Sequence, residues 1–303
     1  MATEIPFVRD MNFDYGVPDQ VTANIRRVVA RNPGPFTFYG TGTYIVGRGN
    51  VAVIDPGPEL SEHFDALIRA VEGEQVTHII ITHTHSDHSP LGRHLAARTG
   101  GLICGYDTAG HKPQADKNFK SDMEEAVDRD LVLDVRLSHG DIIQGDSWEL
   151  EALHTPGHMA NHLCFSLRDE GALFSGDHVM GWSTSVVVPP DGNMSAYMES
   201  LNFLLERQEE TYWPTHGPPI RHPKRHVEAF IEHRMDRERQ ILDWLGHADG
   251  TIDAMVADIY KTVPLELHAA AAQSVFSHLI KMAQEGRVFC DGAPGRASVY
   301  SAS

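Results

Sequence analysis

Between Thr82 and His88 the chain reads Thr-His-Thr-His-Ser-Asp-His, which places four potential metal ligands (His83, His85, Asp87 and His88) on one short stretch. They follow the apolar run His78-Ile79-Ile80-Ile81, and Val76 to Thr82 reads as a buried strand by its β-branched content. The ligands therefore belong to a loop leaving the C-terminal end of a strand, where open α/β folds place their chemistry. Imidazole and carboxylate donors without thiolate suit Zn²⁺, Fe or Mn. One loop cannot enclose a cation alone, so the fold must bring further ligands from distant segments.

Three segments can supply them. Thr155-Pro156-Gly157-His158 turns sharply after a strand and presents His158. Ser175-Gly176-Asp177 follows the strand-like Ala172-Leu173-Phe174 and puts a carboxylate at its end. Pro214-Thr215-His216-Gly217 follows Tyr212-Trp213 and presents His216. Each is a short strand, a turn residue and one ligand. Taken singly, His158 or His216 reads as an ordinary packed or surface histidine; as an ordered set, the four segments point to metal binding.

The surrounding pattern alternates strands with helices. Thr43 to Val46 and Val51 to Ile54 flank Gly47-Arg48-Gly49-Asn50, a hairpin signal. Leu60, Phe64, Leu67, Ile68 and Val71 recur at helical spacing; Leu91 to Arg98 reads as a short helix and Leu102 to Cys104 as a strand. Tyr106 to Arg129 is polar with little periodicity, an expected surface excursion near the site mouth. A second block holds strands at Ile142-Ile143, Trp148 to Leu153, Leu163 to Leu167 and Ala172 to Phe174, then a helix from Met194 to Arg207 capped by Asn193 or Ser195. Two strand-rich blocks with interleaved helices predict two packed sheets flanked by helices, an αββα sandwich over residues 1–220.

Pro223 opens a linking helix that reaches about Leu245, within a 221–245 segment. Arg234 and Glu238 share its apolar stripe four residues apart, which predicts a partly buried ion pair in preference to a substrate contact by Arg234. Residues 246–303 read as a three-helix unit with a terminal hairpin, Val288-Phe289 and Ser298 to Tyr300 around Gly292-Ala293-Pro294-Gly295, the pattern of a winged-helix module. Its acidic residues outnumber its basic ones, so packing or dimerisation is favoured over DNA binding.

Composition narrows the partners. The 303 residues carry a formal charge of −17, with 41% hydrophobic and 22% charged residues, which fits a soluble globular protein and opposes a broad footprint for nucleic acid or anionic membrane. Cys104, Cys164 and Cys290 are scattered, so buried free thiols in a reducing compartment are expected rather than disulfides. Met1 to Gln20 shows no basic segment followed by an apolar one, and no window reaches the roughly 18 apolar residues of a membrane span. The expectation is a cytoplasmic protein.

With those motifs in order (Asp55, the His83/His85/Asp87/His88 loop, His158, Asp177, His216), the first 220 residues resemble the metallo-β-lactamase-fold hydrolases. The resemblance implies that His83, His85 and His158 hold one metal, that Asp87, His88 and His216 hold a second, and that Asp177 bridges them. It also implies that Asp55 hydrogen-bonds the metal loop. His162 is expected beside the ligands rather than among them. His85 stands where iron oxidoreductases of this fold place a carboxylate, so two Zn²⁺ ions and hydrolysis are implied. Downstream, Ser195 to Leu201, Pro214 to Pro218, Glu232-His233-Arg234 and Arg237 to Leu242 resemble the lactamase-like endoribonuclease group, which carries a C-terminal winged-helix-like domain.

The chemistry expected is that of two cations sharing a bridging solvent molecule, lowering its pKa so that hydroxide attacks, and stabilising the oxyanion that forms. Asp87 is a candidate for managing the leaving-group proton. The endoribonuclease likeness implies phosphodiester cleavage of single-stranded RNA; the acidic charge and the lack of lysines interleaved with aromatics oppose it. Thioester or lactone hydrolysis of a small metabolite, glyoxalase II-like, is the competing reading. A metal-stabilised binding protein is the non-enzyme reading, and the complete open ligand set argues against it. Specificity is expected to lie in walls from Tyr106 to Arg129 and Gly181 to Pro190. Tyr197 is expected to be a packed helix residue rather than a substrate donor.

Overall fold

The computed structural model describes residues 4–106 and 126–303. Its first sheet is seven-stranded in sequence order: β1 (Asp19–Gln20), β2 (Ile25–Val29), β3 (Gly42–Val46), β4 (Asn50–Ile54), β5 (Gln75–Ile80), β6 (Leu102–Tyr106) and β7 (Val135–Leu137). β1 to β4 pair antiparallel, then β4 to β7 run parallel. The parallel half needs crossovers, and α1 (Ser61–Ala70) and α2 (Leu91–Thr99) provide two of them. The second sheet has the order β12-β11-β10-β9-β8, from β8 (Ile142–Gln144), β9 (Glu149–His154), β10 (Leu163–Leu167), β11 (Ala172–Gly176) and β12 (Thr211–Pro214).

Side-chain alternation builds the layers. Tyr44, Ile54 and Ile80 from the first sheet meet Phe165, Phe174 and Trp213 from the second in a core between the sheets. Their neighbours Ile45, Val53 and Ile79 face the other way, against Leu67 of α1 and Leu95 of α2. Leu153, Cys164 and Leu173 likewise face outward, onto α3 (Met194–Leu205) and α4 (Pro223–Leu245), where Tyr197, Leu201 and Phe230 cover them. The period of two along each strand therefore produces the expected αββα sandwich. Asn193 accepts from the Ala196 amide and is the cap of α3, and Pro223 occupies the first turn of α4, where its missing N–H costs nothing.

The C-terminal unit is assembled differently from the expectation. After Gly246 the described residues form two α-helices, α5 (Ile252–Ile259) and α6 (His268–Gln284), with a 3₁₀ turn at Leu265–Leu267 and the hairpin β13 (Val288–Cys290) and β14 (Tyr300–Ala302). The third helix of the unit is the end of α4: Ile241 and Leu245 share one core with Met255, Phe276, Leu279 and Tyr300. The expected Arg234–Glu238 ion pair does not form. Both side chains are buried, but Arg234 Nη2 donates to the Ser185 carbonyl (2.5 Å), while Glu238 pairs with Lys281 (2.8 Å) and Arg287 (2.5 Å). Residues on other elements offered each charge a better partner than its helical neighbour. The Tyr106 to Arg129 excursion falls largely outside the described residues. Among the described residues, no helix is long and apolar enough to cross a membrane.

Candidate metal centre

All seven expected ligands lie at strand ends on one edge of the sandwich. Asp55 closes β4, the His83 to His88 loop leaves β5, His158 follows β9, Asp177 follows β11 and His216 follows β12. Two turns demand glycine. Gly157 sits at φ +144°, and a Cβ there would run into the Tyr197 backbone; Gly176 sits at φ +51°, and its Cβ would meet the His162 ring. These close approaches let His158 and Asp177 turn inward immediately after their strands.

The ligand atoms form two groups. His83 Nε2 lies 2.9 Å from His85 Nδ1, which lies 3.1 Å from His158 Nε2. Asp87 Oδ2 lies 3.1 Å from His216 Nε2 and 3.7 Å from His88 Nε2. Asp177 Oδ2 stands between the groups, 3.5 Å from both His88 Nε2 and His216 Nε2 and 3.9 Å from His158 Nε2. Each of the sets His83/His85/His158, His83/His88/Asp177 and Asp87/His88/His216 has its ligand atoms within 4.8 Å of one another.

Outer hydrogen bonds set the imidazole tautomers. His158 Nδ1–H donates to the Val186 carbonyl (2.6 Å) and His216 Nδ1–H to the Gly40 carbonyl (3.2 Å). His88 Nδ1–H donates to Asp55 Oδ2 (2.8 Å); His83 Nδ1–H donates to Thr82 Oγ1 (3.0 Å), which itself donates to Asp55 Oδ2 (2.8 Å). Each of these rings therefore turns an Nε2 lone pair toward the centre. His88 Nε2, His216 Nε2 and Asp177 Oδ1 are buried without a hydrogen-bond partner among the described residues. Converging ring nitrogens and carboxylate oxygens, three of them left without a partner among the described residues, fit a cation.

Electrostatics agree. Burial, reinforced by neighbouring imidazoles, pushes His83 and His85 well below the usual histidine range, so they are neutral donors. Burial also opposes charge on His88 and His216, yet the carboxylates of Asp87 and Asp177 win, raising His88 well above its usual value and His216 to about 8. Against the same burial, His88 and His216 hold the carboxyls of Asp87 and Asp177 well below the usual carboxylate range. The second group demands positive charge, from protons or from a metal.

Other histidines take supporting positions. His162 is buried under the site: its Nδ1–H donates to Thr155 Oγ1 (2.9 Å) and its Nε2 accepts the Asp177 amide (3.2 Å). His178 is buried with neither ring nitrogen hydrogen-bonded among the described residues, and burial pushes it down to about 3. Tyr197 is fully buried and donates to the His178 carbonyl (2.9 Å), a packing role. Sequence reasoning passed over Thr82 and Thr215, whose hydroxyls both donate to Asp55 Oδ2 (2.8 Å each). The signal was present: in both segments a threonine directly precedes a histidine ligand.

Over His85 and His158 opens a cleft walled mostly by apolar side chains, those of Val127, Met159, Val186, Val188, Pro189 and Pro190, with Asp191 and Gly192 beside them. No lysine or arginine lines it among the described residues. Val127 bridges to His85, and Ser86 donates to the Ala126 carbonyl (2.7 Å), so the segment after the undescribed stretch returns alongside the metal loop.

Comparison with known proteins accords with this geometry. The family model for the metallo-beta-lactamase superfamily matches residues 37–216, and that for the beta-lactamase associated winged helix domain matches residues 251–296. A beta-lactamase-like protein 2 homolog from Caenorhabditis elegans is 32% identical over 276 residues, covering 89% of this chain and 88% of the relative. An atrochrysone carboxyl ACP thioesterase from Aspergillus chevalieri is 30% identical over 286 residues, covering 90% and 85%. Among solved structures, a beta-lactamase domain protein from Burkholderia ambifaria superposes with a TM-score of 0.77 at 18% identity, covering 97% of this chain and 96% of that one. Sandwich and C-terminal unit thus recur together, and the chain belongs to the metallo-β-lactamase superfamily as one of its hydrolases, with a His/Asp metal site and a winged-helix domain.

Proposed function

We propose that this protein is a dinuclear zinc hydrolase of small acyl thioesters. The observation that carries the substrate class is the largely apolar cleft directly over His85 and His158, which suits an uncharged acyl group and, among the described residues, offers no cationic wall for phosphates. The formal charge of −17 opposes RNA in the same way. The thioesterase among its relatives supports the reading.

His83, His85 and His158 would hold one cation and Asp87, His88 and His216 the other, with Asp177 shared. The donor set, imidazole and carboxylate without thiolate, suits Zn²⁺. Bound there, the pair supplies Lewis acidity, lowering the pKa of water and stabilising a developing oxyanion.

The chain's own residues do the rest. Val186, Val188 and Pro189 exclude bulk water from one side of the reacting carbonyl. Water adds to the carbonyl carbon, the C–S bond breaks, and the electron pair leaves on sulfur as a thiolate. The Asp87 carboxylate, the more exposed of the two at 18% side-chain exposure, passes the proton lost by water on to the departing thiolate, since its own low proton affinity keeps it from retaining one. Asp177, nearly enclosed, keeps the two imidazole groups in register through its Oδ2 contacts.

The test is a comparison of the zinc-loaded protein on acyl thioesters, lactones, bis-p-nitrophenyl phosphate and a fluorogenic RNA. Thioester turnover should dominate, and His158→Ala should lower it by at least about 100-fold together with bound metal. Cleavage of RNA with thioesters untouched would overturn the reading.

A further inference from the structure

A second cavity adjoins the first. A groove of about 440 Å³ runs between the Pro189 to Ser195 segment of the sandwich and α6 with the β13–β14 loop of the C-terminal unit. It shares Pro189, Pro190 and Gly192 with the cleft over His85 and His158, so the two adjoin along that segment beside the metal centre. Met194, Phe276, Ile280 and Pro294 give it apolar surface, while Ser277 and Gln284 give it polar surface. Ser277 is buried, and its Oγ has no hydrogen-bond partner among the described residues, a cost that a native site sustains when a ligand completes the bond. Lys281, the single cation among the described residues of the wall, is neutralised by Glu238 (2.8 Å) and Glu285 (2.7 Å).

We infer that this groove holds the thiol-side arm of the substrate, an amide-bearing pantetheine chain, so that the C-terminal unit forms one wall of the substrate site. The inference rests on the thioester reading and names the half of the substrate that lies here. A bare hydrocarbon would leave the polar wall unsatisfied, and a polyanion would find no free positive charge among the described residues. A chain of methylenes interrupted by amides meets both surfaces.

The metal-loaded protein is assayed with benzoyl thioesters of N-acetylcysteamine, pantetheine and coenzyme A. The pantetheine ester should show a KM at least about 10-fold below that of the N-acetylcysteamine ester at similar kcat. Ser277→Ala should raise KM for the pantetheine ester about 3- to 10-fold, the worth of one hydrogen bond. It should leave the short ester's kinetics and the thermal midpoint unchanged. Ala293→Trp, placed on an exposed residue of the β13–β14 loop, should fill the groove and erase the preference for the long arm. The coenzyme A ester tells the sources apart: equality with the pantetheine ester means a nucleotide-borne arm is accepted, and loss of the advantage means an arm borne by a carrier protein.

Equal KM for short and long arms, or variants that harm both esters alike, would overturn the inference while leaving the thioester reading intact. If the wild type turned over lactone or RNA and no thioester, that reading would fall. Calorimetric titration with pantetheine itself would then decide the groove: binding lost in Ala293→Trp sustains it, and absence of binding ends it.

Discussion

Asp55 shows how much one side chain can organise. Its Oδ1 accepts the Thr82 amide (2.9 Å), and its Oδ2 receives Thr82 Oγ1, Thr215 Oγ1 and His88 Nδ1, each at 2.8 Å. It ties the β5 loop to the β12 loop, whose sequences are far apart, and it sits at φ +48°, a backbone region aspartate tolerates better than most residues. Asp55→Asn keeps the shape but replaces one acceptor oxygen by a donor, so it cannot satisfy the same neighbours. Metal affinity should fall about 10- to 100-fold, read by competition with a chromogenic chelator, with the fold retained. Unchanged affinity would mean that the metal loop is held without it. From sequence, the place of Asp55 beside the loop was legible only through family likeness; its link to Thr215 was not, because a hydrogen bond between segments 160 residues apart leaves no local periodicity.

At the scale of the element, α4 is the instructive case. Its 23 residues were legible end to end, from Pro223 in the first turn to the apolar stripe ending at Leu245. The partners of its buried charges were not. Arg234 supports the Ser185 carbonyl, and the next carbonyl, that of Val186, orients His158; the Arg234 guanidinium also stacks over Tyr197 at 5.2 Å. Glu238, one turn on, anchors Lys281 and Arg287 of the C-terminal unit. Variants of the two should therefore separate. Arg234→Met should weaken metal binding about 10-fold while changing stability little, since an apolar side chain of similar length fills the same space. Glu238→Ala should leave metal affinity alone and lower stability by roughly 2 kcal/mol in thermal melts, less than for a fully buried pair because Arg287 reaches solvent. The same phenotype from both would refute this division of labour.

Across the whole molecule, neutral histidines that are buried or half-buried set the response to acid. His63 beneath β3, His233 on α4 and His278 on α6 are all pushed down to about 4, chiefly by burial. In the unfolded chain each protonates near 6.5, so between these values the unfolded state binds more protons. Stability is complete above about pH 6.5 and is lost as pH falls toward 4, at up to about 1.4 kcal/mol per pH unit for each group. Urea titrations at pH 7.5 and 5.0 should show a smaller loss for His63→Gln than for the wild type; ligand histidines titrate in both and cancel. Equal losses would show that His63 takes up its proton without penalty. By itself the sequence determined most strands, the helices of the sandwich and the seven candidate ligands, because alternation, helical spacing and strand-end turns are local and survive being read in order. Only the tertiary structure decided which lone pairs face one another, which carbonyl orients each imidazole, and that an apolar cleft lies over His85. Those depend on side chains from separate strands meeting at angstrom separations, and no spacing along the chain encodes that.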